Sequence, residues 1–358
     1  MTNPLQPNFS PGGLPDRVDN RDYQWEEIGG AISVPFDWSI GFNVEDELST
    51  VLNIPNFKLK VKDQGGSYSC GGQAWGYLAE VLEAMSTKSY EPRSAKYMYS
   101  QTCVPTGGSR GRDNADIFVN QGVSKESTLV SYDNNFPPQE PFMQRSADIT
   151  DLARQDAKLS KASAYAQTGI DIESIATAVR DNHGVVLGVD GANNGTWNGE
   201  FPSPPNTIEW RHWVYAFAAK LINGKKHIGI VNSWGSNVGN QGIQWLSIDY
   251  FNTSHVFSGW THVFAPPIVS TFKHNFIKNM NLGEISGEVV ALQNALKLDG
   301  EFPMLVPSSG FYGDITKIAV LAFQFKYKII TLPIESNYGR IVGPKTRLQL
   351  NSLFNVDN

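Results

Sequence analysis

The chain has 358 residues, 41% of them hydrophobic and 18% charged, with a formal net charge of −6. That length exceeds one average domain and predicts two or three, each able to bury a core. The acidic balance and the lack of a polybasic run argue against nucleic acid or an anionic membrane surface as partner, and no stretch reaches the ~18 apolar residues of a membrane span.

Residues 1–30 are rich in Pro, Gly, Asn and Asp and read as an extended N-terminal arm. The polar start lacks the charged and apolar regions of a secretory signal, so export by that route is not expected. Residues 40–57 read as an inserted surface loop. The stretch 63–77 then offers a cysteine at a loop-to-helix junction. Gly65 and Gly66 allow a tight backbone, and from about Gln73 the residues Ala74, Tyr77, Leu78, Val81 and Leu82 recur at helical spacing. Cys70 is thus expected in the first turn, where unpaired N–H groups and the positive dipole end lower a thiol's pKa and favour the thiolate near neutral pH. Gln64, six residues upstream, could donate to an oxygen held over the sulfur.

Residues 94–103 predict an amphipathic helix. Gly107-Gly108-Ser109 follows as a glycine-rich loop, then a helix over 114–121 with Gly122-Val123 as its stop. Residues 171–182 predict another amphipathic helix and 184–189 a strand. The segment 188–211 is punctuated by Gly and Pro and reads as a loop leading to His212 along a groove. From His212 two apolar strand-like pieces bracket Asn223-Gly224, a hairpin signal that returns Asn232 to the neighbourhood of His212. Gly239 to Gly242 then precedes a strand carrying Ile243, Trp245 and Ile248.

A nucleophile of this kind needs a base oriented by a third group. The order Gln64, Cys70, His212, then Asn232-Ser233-Trp234-Gly235, resembles the papain-like cysteine peptidases. That resemblance implies an α+β fold of two lobes, one helical and one β-barrel-like, and it implies roles. Gln64 would be the oxyanion-hole amide, Cys70 the nucleophile, His212 the base, Asn232 its orienting amide and Trp234 the indole shielding their bond. Residues Gly107 and Gly108 fall where the family presents backbone to substrate, and Arg211 precedes the base. Pro35-Phe36-Asp37-Trp38 resembles the family's mature start, and residues 14–23 its short bacterial leaders. Gly71 and Gly72 depart from the pattern, since the family places Trp directly after the nucleophile.

The two cysteines, Cys70 and Cys103, are expected free, because joining them would consume the nucleophile. His183, His227, His255, His262 and His274 lack a catalytic context, and the scattered Cys and His show no metal-ligand spacing, so neither metal nor cofactor is expected. Ala265-Pro266-Pro267 marks a linker, placed at 266–274 between a peptidase domain over 31–265 and a C-terminal domain over 275–358. Beyond it three helical stripes are expected: Val289, Leu292 and Leu296; Ile315, Ile318, Ala319, Ala322 and Phe323; Leu348, Leu350, Leu353 and Phe354. The runs Gly310-Phe311-Tyr312-Gly313 and Gly343-Pro344-Lys345-Thr346 between them resemble the three-helix peptidoglycan-binding modules of bacterial and phage wall enzymes. The resemblances together imply hydrolysis of a peptide or protein substrate, with peptidoglycan as a further partner. The competing expectations are a wall-lytic endopeptidase and a catalytically silent wall-binding protein.

Overall fold

The structure, a computed structural model, describes residues 12–17, 19, 22, 24–25, 35–54, 57–132, 138–263, 272–299, 301–302 and 308–355. The expected linker at 265–267 lies outside them, as do residues 1–11 and 26–34. Two compact units result, Met1–Val263 and Phe264–Asn358.

In the first unit helix α1 (Cys70–Thr87) begins at the cysteine itself, ahead of where apolar spacing alone places it. Helix α2 (Ala95–Thr102) is capped by Ser94, whose hydroxyl accepts from the Tyr97 amide at 3.1 Å. Helix α3 (Gly111–Asn120) ends before Gly122, whose φ of +85° suits a residue without Cβ. Strand β1 (Ala164–Gln167) is followed by α4 (Ile172–Asn182), capped by Asp171 accepting from Glu173 and Ser174 amides. Then come β2 (Val185–Gly191), β3 (Trp210–Ile222), β4 (Lys225–Val231), β5 (Ile243–Ser247) and β6 (Val256–Val263). Ile248 opens a short helix rather than extending β5.

The strands form an antiparallel sheet in the order β1-β6-β2-β3-β4-β5, with Phe42–Asn43 added along β3. Among the described residues this path is open, not a closed barrel. Asn223 and Gly224 both have positive φ, 51° and 76°, and join β3 to β4 with Ile222 opposite Lys225, the expected tight hairpin. Alternation along the strands divides the core in two. Trp213, Tyr215 and Val186 face a helical layer with Trp75, Leu78, Met98 and Phe118, whereas Val214, Ala216, Val185 and Leu187 face Ile175, Ala176 and Val179 of α4. Burial of such side chains contributes about 1.5–3 kcal/mol each, so both layers hold the sheet firmly.

The insertion before Gln64 is not a surface loop. Phe42–Asn43 pairs with Ala219 and Ala218 of β3, and Val44, Leu48, Ile54 and Phe57 are buried in the helical-side core. Their near-helical spacing at Val44 and Leu48 was the available sign, and apolar burial outweighs the loop tendency of the surrounding residues.

In the second unit α5 (Gly287–Leu298), α6 (Asp314–Lys326) and α7 (Pro344–Phe354) surround a core that includes Phe276, Leu292, Leu296, Tyr312, Val320, Phe323 and Leu350. Met280–Asn281 pairs antiparallel with Ile341–Val342. Two expected stripes need correction. On α6 the buried face is Thr316, Ala319, Val320, Phe323 and Gln324, and Ile318 is 63% exposed. On α7 Thr346 and Leu350 point inward while Leu348 is 73% exposed. Apolar periodicity misses these faces because buried polar side chains, Thr316, Gln324 and Thr346, occupy core positions, where Gln293 Nε2 donates to Thr316 Oγ1 and Gln324 Nε2 donates to Thr346 Oγ1.

Candidate active site

Cys70 is the first residue of α1 and is fully buried, and Cys103 is also a free thiol. The glycines after the cysteine are dictated by packing. A Cβ at Gly71 would lie 2.5 Å from Ser109 Oγ and 2.8 Å from Asn114 Nδ2, and one at Gly72 would lie 2.7 Å from the Ala95 carbonyl oxygen. A tryptophan cannot follow Cys70 here. Instead Trp213, next to His212, lies near Gly71 and donates its indole N–H to Ser109 O at 3.0 Å.

Gln64 is buried and tied to the strand side of the fold. Its amide N donates to Ser233 O at 2.7 Å, its Nε2 donates to Ser67 O at 2.8 Å, and its Oε1 accepts from Ser233 Oγ at 2.7 Å. The preceding turn is closed by Ser67 Oγ donating to Gln64 O at 2.7 Å and by a Ser67–Ser69 hydroxyl contact at 2.7 Å.

His212 sits near the start of β3, opposite Val189 of β2. Its Nε2 lies 2.8 Å from Asn232 Oδ1. The surroundings settle which way this amide faces. Gln244 Nε2 donates to Trp197 O at 2.7 Å and Gly199 O at 3.0 Å, so Gln244 presents its oxygen to Asn232 Nδ2 at 2.8 Å. Asn232 Oδ1 is therefore the acceptor on the other side, and it also takes the Ser233 amide at 2.7 Å. The imidazole proton must then reside on Nε2, leaving Nδ1 as the basic nitrogen, buried with no hydrogen-bond partner among the described residues.

Trp234 stacks on the His212 ring, centroids 4.3 Å apart at 26°, and Trp197 and Trp210 stand edge-on to it at 6.5 and 6.3 Å. Tyr77 of α1 accepts from the Lys62 amide at 2.6 Å and donates to Asn232 O at 3.1 Å, linking the helical layer to the hairpin. Gln244, Trp197 and Trp210 were not singled out from sequence, and Tyr77 only as part of the helical spacing of α1. The two tryptophans lie in the segment read only as a groove loop, where their type was the available signal; Gln244 and Tyr77 carry none without the fold.

The N-terminal arm runs through this site. Residues 13–14 pair in parallel with Ser109–Arg110, and the Ser109 amide donates to Gly12 O at 3.0 Å. A Cβ at Gly12 would lie 1.9 Å from Tyr68 O, and one at Gly13 would lie 2.8 Å from the His212 backbone nitrogen. Only glycine fits against Tyr68 at position 12 and against the Arg211 and His212 backbone at position 13. The next residues anchor the segment: Asp16 accepts from the Arg112 amide at 3.0 Å, Trp260 Nε1 at 2.8 Å and Ser258 Oγ at 3.3 Å, and Asp22 pairs with the Arg112 guanidinium.

This closure sets the protonation states. Burial pushes the Cys70 thiol up to about 11, outweighing the backbone N–H groups of Trp213, Gly12, Gly71 and Cys70 that favour the thiolate. Burial likewise pushes His212 down to about 4, against the Asn232 hydrogen bond. The expected lowered thiol pKa is thus not present in the closed site; the helix N-terminus contributes in the expected direction, and desolvation is the larger effect.

Of the remaining candidates, Gly107 packs its open side on the Tyr68 ring and Gly108 on Gly12 O, with φ of +87° and +85°. The backbone that meets the arm is that of Ser109, one residue on. The Arg211 side chain is held by Asp190 at 3.0 Å and lies over Phe257. His183, His227 and His262 are shifted down by burial, and His255 faces Asp190 at 3.5 Å. No cluster of His, Cys, Asp and Glu suited to a metal occurs among the described residues, and no described helix is long and apolar enough to cross a membrane.

No family model and no curated protein matches the chain. Solved structures do. Xylellain, a cysteine protease from Xylella fastidiosa, is 21% identical with a TM-score of 0.55, over 70% of this chain and 95% of its own. Digestive procathepsin L2 proteinase from Tenebrio molitor larval midgut is 16% identical with a TM-score of 0.57, over 74% of this chain and 81% of its own. Procathepsin B S9 from Trypanosoma congolense is 12% identical with a TM-score of 0.50, over 71% and 86%. The first unit has the papain-like fold.

Proposed function

We propose that the chain is a cysteine-type peptidase using Cys70, His212, Asn232 and Gln64. The observation that carries this reading is the imidazole of His212 held through Nε2 by Asn232 Oδ1 at 2.8 Å under the Trp234 ring, which leaves Nδ1 basic on the papain-like fold whose α1 begins at Cys70. With the arm lifted, water reaches both groups, the thiol pKa falls and the imidazole pKa rises, and a thiolate–imidazolium pair becomes accessible. The thiolate sulfur attacks a peptide carbonyl carbon. The resulting oxyanion is met by the Cys70 amide and Gln64, and His212 gives its proton to the leaving amine nitrogen as the C–N bond breaks. Water, deprotonated by His212, then cleaves the thioester and returns the thiol. The reading is tested with a fluorogenic peptide amide and a thiol-directed epoxide on the arm-released chain; hydrolysis that survives Cys70→Ala sinks it.

A second reading concerns place of action. The resemblance of residues 310–313 and 343–346 to peptidoglycan-binding modules supports a wall-binding role for the second unit, which would direct the peptidase to peptidoglycan, its substrate there being protein or stem peptide. Parallel digestion of casein and of purified peptidoglycan, with detection of new amines, separates these.

A further inference from the structure

Two main-chain carbonyls converge on one buried side chain behind the base. The segment 195–200 leaves Gly195, whose φ is +82°, in a single short turn over Thr196–Asn198. Its Asn198 carbonyl accepts the Gly239 amide at 3.0 Å and its Glu200 carbonyl accepts the Trp245 amide at 2.8 Å, which lays the segment along the start of β5. The intervening carbonyls, Trp197 O and Gly199 O, then meet Gln244 Nε2 at 2.7 and 3.0 Å. Gln244 lies opposite Ile230 in the β4–β5 pair, and alternation puts Asn232, two residues on, on the same face as Ile230. The two amides therefore meet on the diagonal, with Asn232 Nδ2 donating to Gln244 Oε1 at 2.8 Å.

A carbonyl only accepts, so this row of bonds has one direction. The two carbonyls claim the amino end of Gln244, its oxygen claims the amino end of Asn232, and the Asn232 oxygen claims a proton on His212 Nε2 at 2.8 Å. Turning both amides over would set oxygen against oxygen at Trp197 and Gly199. The Ser233 amide also donates to Asn232 Oδ1, at 2.7 Å, but it holds one atom and leaves the amide plane free to turn about it. Gln244 holds the other end. Gln244, Asn232 and His212 are all fully buried, so bulk solvent does not stand in for a lost partner. The same segment carries Trp197, which stands edge-on to His212 and donates its indole N–H to the Tyr250 hydroxyl at 2.8 Å.

We propose that Gln244 is a positioning residue for the base: it carries the polarity of the 197–199 main chain through Asn232 to His212 and holds the imidazole proton on Nε2, so that Nδ1 keeps the lone pair. The proposal rests on the reading of His212 as the base of a cysteine-type peptidase. It makes the segment before β3 part of what prepares that base. With an apolar side chain in place of Gln244, Asn232 Nδ2 becomes a buried donor without an acceptor, and rotation of the amide to find one takes Oδ1 away from His212. The neutral ring then loses its preference for the proton on Nε2.

The test uses the full chain with isotope-labelled histidine, and long-range proton–nitrogen NMR correlation reads the tautomer of His212, assigned against His212→Gln. This reading needs no turnover, and burial keeps the ring neutral near neutral pH. The parent should show a proton on Nε2 and none on Nδ1, and Gln244→Leu should show a mixture of the two neutral tautomers. In a chain whose arm is released by Asp16→Ala, Gln244→Leu should lower kcat on a fluorogenic peptide amide about tenfold, the scale of one buried donor left unpaired, with KM little changed. Gln244→Glu keeps the side-chain length. While its carbon NMR signal reports a protonated carboxyl, it can donate to one carbonyl and accept from Asn232, so it should restore the Nε2–H tautomer and most of kcat. A purely structural role would lower the melting temperature and leave the tautomer of the folded molecules as in the parent. That outcome overturns the proposal, as does a parent with its proton on Nδ1. Should Gln244→Leu fail to fold, Gln244→Glu decides alone: a tautomer that stays the same between the protonated and ionised carboxyl overturns it. Hydrolysis and tautomer both unchanged in folded Gln244→Leu would sink the relay and leave the peptidase reading intact; a tautomer that shifts in a chain showing no hydrolysis in any background would uphold the relay and sink that reading.

Discussion

Loosening the arm should switch the first unit on, and Asp16→Ala is the sharpest way to do it. The Asp16 carboxylate accepts three hydrogen bonds, from the Arg112 amide, Trp260 Nε1 and Ser258 Oγ, at 3.0, 2.8 and 3.3 Å. Bonds to a charged group are worth about 1.5–3 kcal/mol each, but burial of this carboxylate opposes them and raises its pKa above the ordinary value, so the net seating energy is far below their sum. A net loss of about 2 kcal/mol is a reasonable scale, or roughly a 30-fold rise in the open fraction. For a site competent only when open, the apparent substrate affinity scales with that fraction. Hydrolysis of a fluorogenic peptide amide at low substrate should therefore rise about 30-fold, up to the fully open limit. Cys70 labelling by iodoacetamide, followed by peptide mass spectrometry, should accelerate in parallel. Gly12→Val supplies an independent release, because its Cβ cannot occupy a point 1.9 Å from the Tyr68 oxygen. Variants that stay folded by circular dichroism yet match the parent in both assays would refute the idea that residues 12–16 close the site.

Closure favours the neutral form of both groups. A thiol held up to about 11 in the closed form stabilises closure below the ordinary thiol value of 9.0 and loses that contribution as pH rises from there to about 11, while His212, pushed down to about 4, opposes closure as pH falls below the ordinary imidazole value of 6.5; the labelling rate of the intact chain should therefore climb steeply above pH 9 while Asp16→Ala reacts at lower pH, and coincident profiles would count against it. Cys70→Ala and His212→Ala should each remove nearly all hydrolysis, with a double variant no slower, since nucleophile and base act as a unit; additive losses would separate them. Asn232→Ala should lower turnover by about 10- to 100-fold, the worth of a lost orienting bond, and less than His212→Ala does; unchanged turnover would deny the orienting role. A chain ending at Val263 should keep its rate on a small soluble peptide and lose co-sedimentation with sacculi, because tethering raises local concentration without entering the chemistry; retained co-sedimentation would place wall binding elsewhere.

Much of this molecule is legible from residues close together in sequence. The Asn223-Gly224 turn prescribes its own hairpin, because both residues tolerate positive φ and the flanking strands alternate, and that hairpin alone brings Asn232 to His212. Helices α2 and α4 announce themselves through Ser94 and Asp171, whose caps act within three residues. What sequence cannot show is competition between distant parts of the chain. Gly12 and Gly13 read as features of a loose arm; only the fold reveals that Tyr68, Arg211 and His212 leave a slot too narrow for a Cβ, which makes the glycines a fit and not merely a composition. The thiol pKa follows the same division. The helix N-terminus is local and visible at Cys70, whereas the burial that outweighs it exists only once the chain has packed around the thiol. Val44 and Leu48 were read outward and Ile318 and Leu348 inward for a related reason: which face of a short segment is buried depends on the surface it meets, and a buried Gln324 or Thr346 is recognisable only once its hydrogen-bond partners are in place.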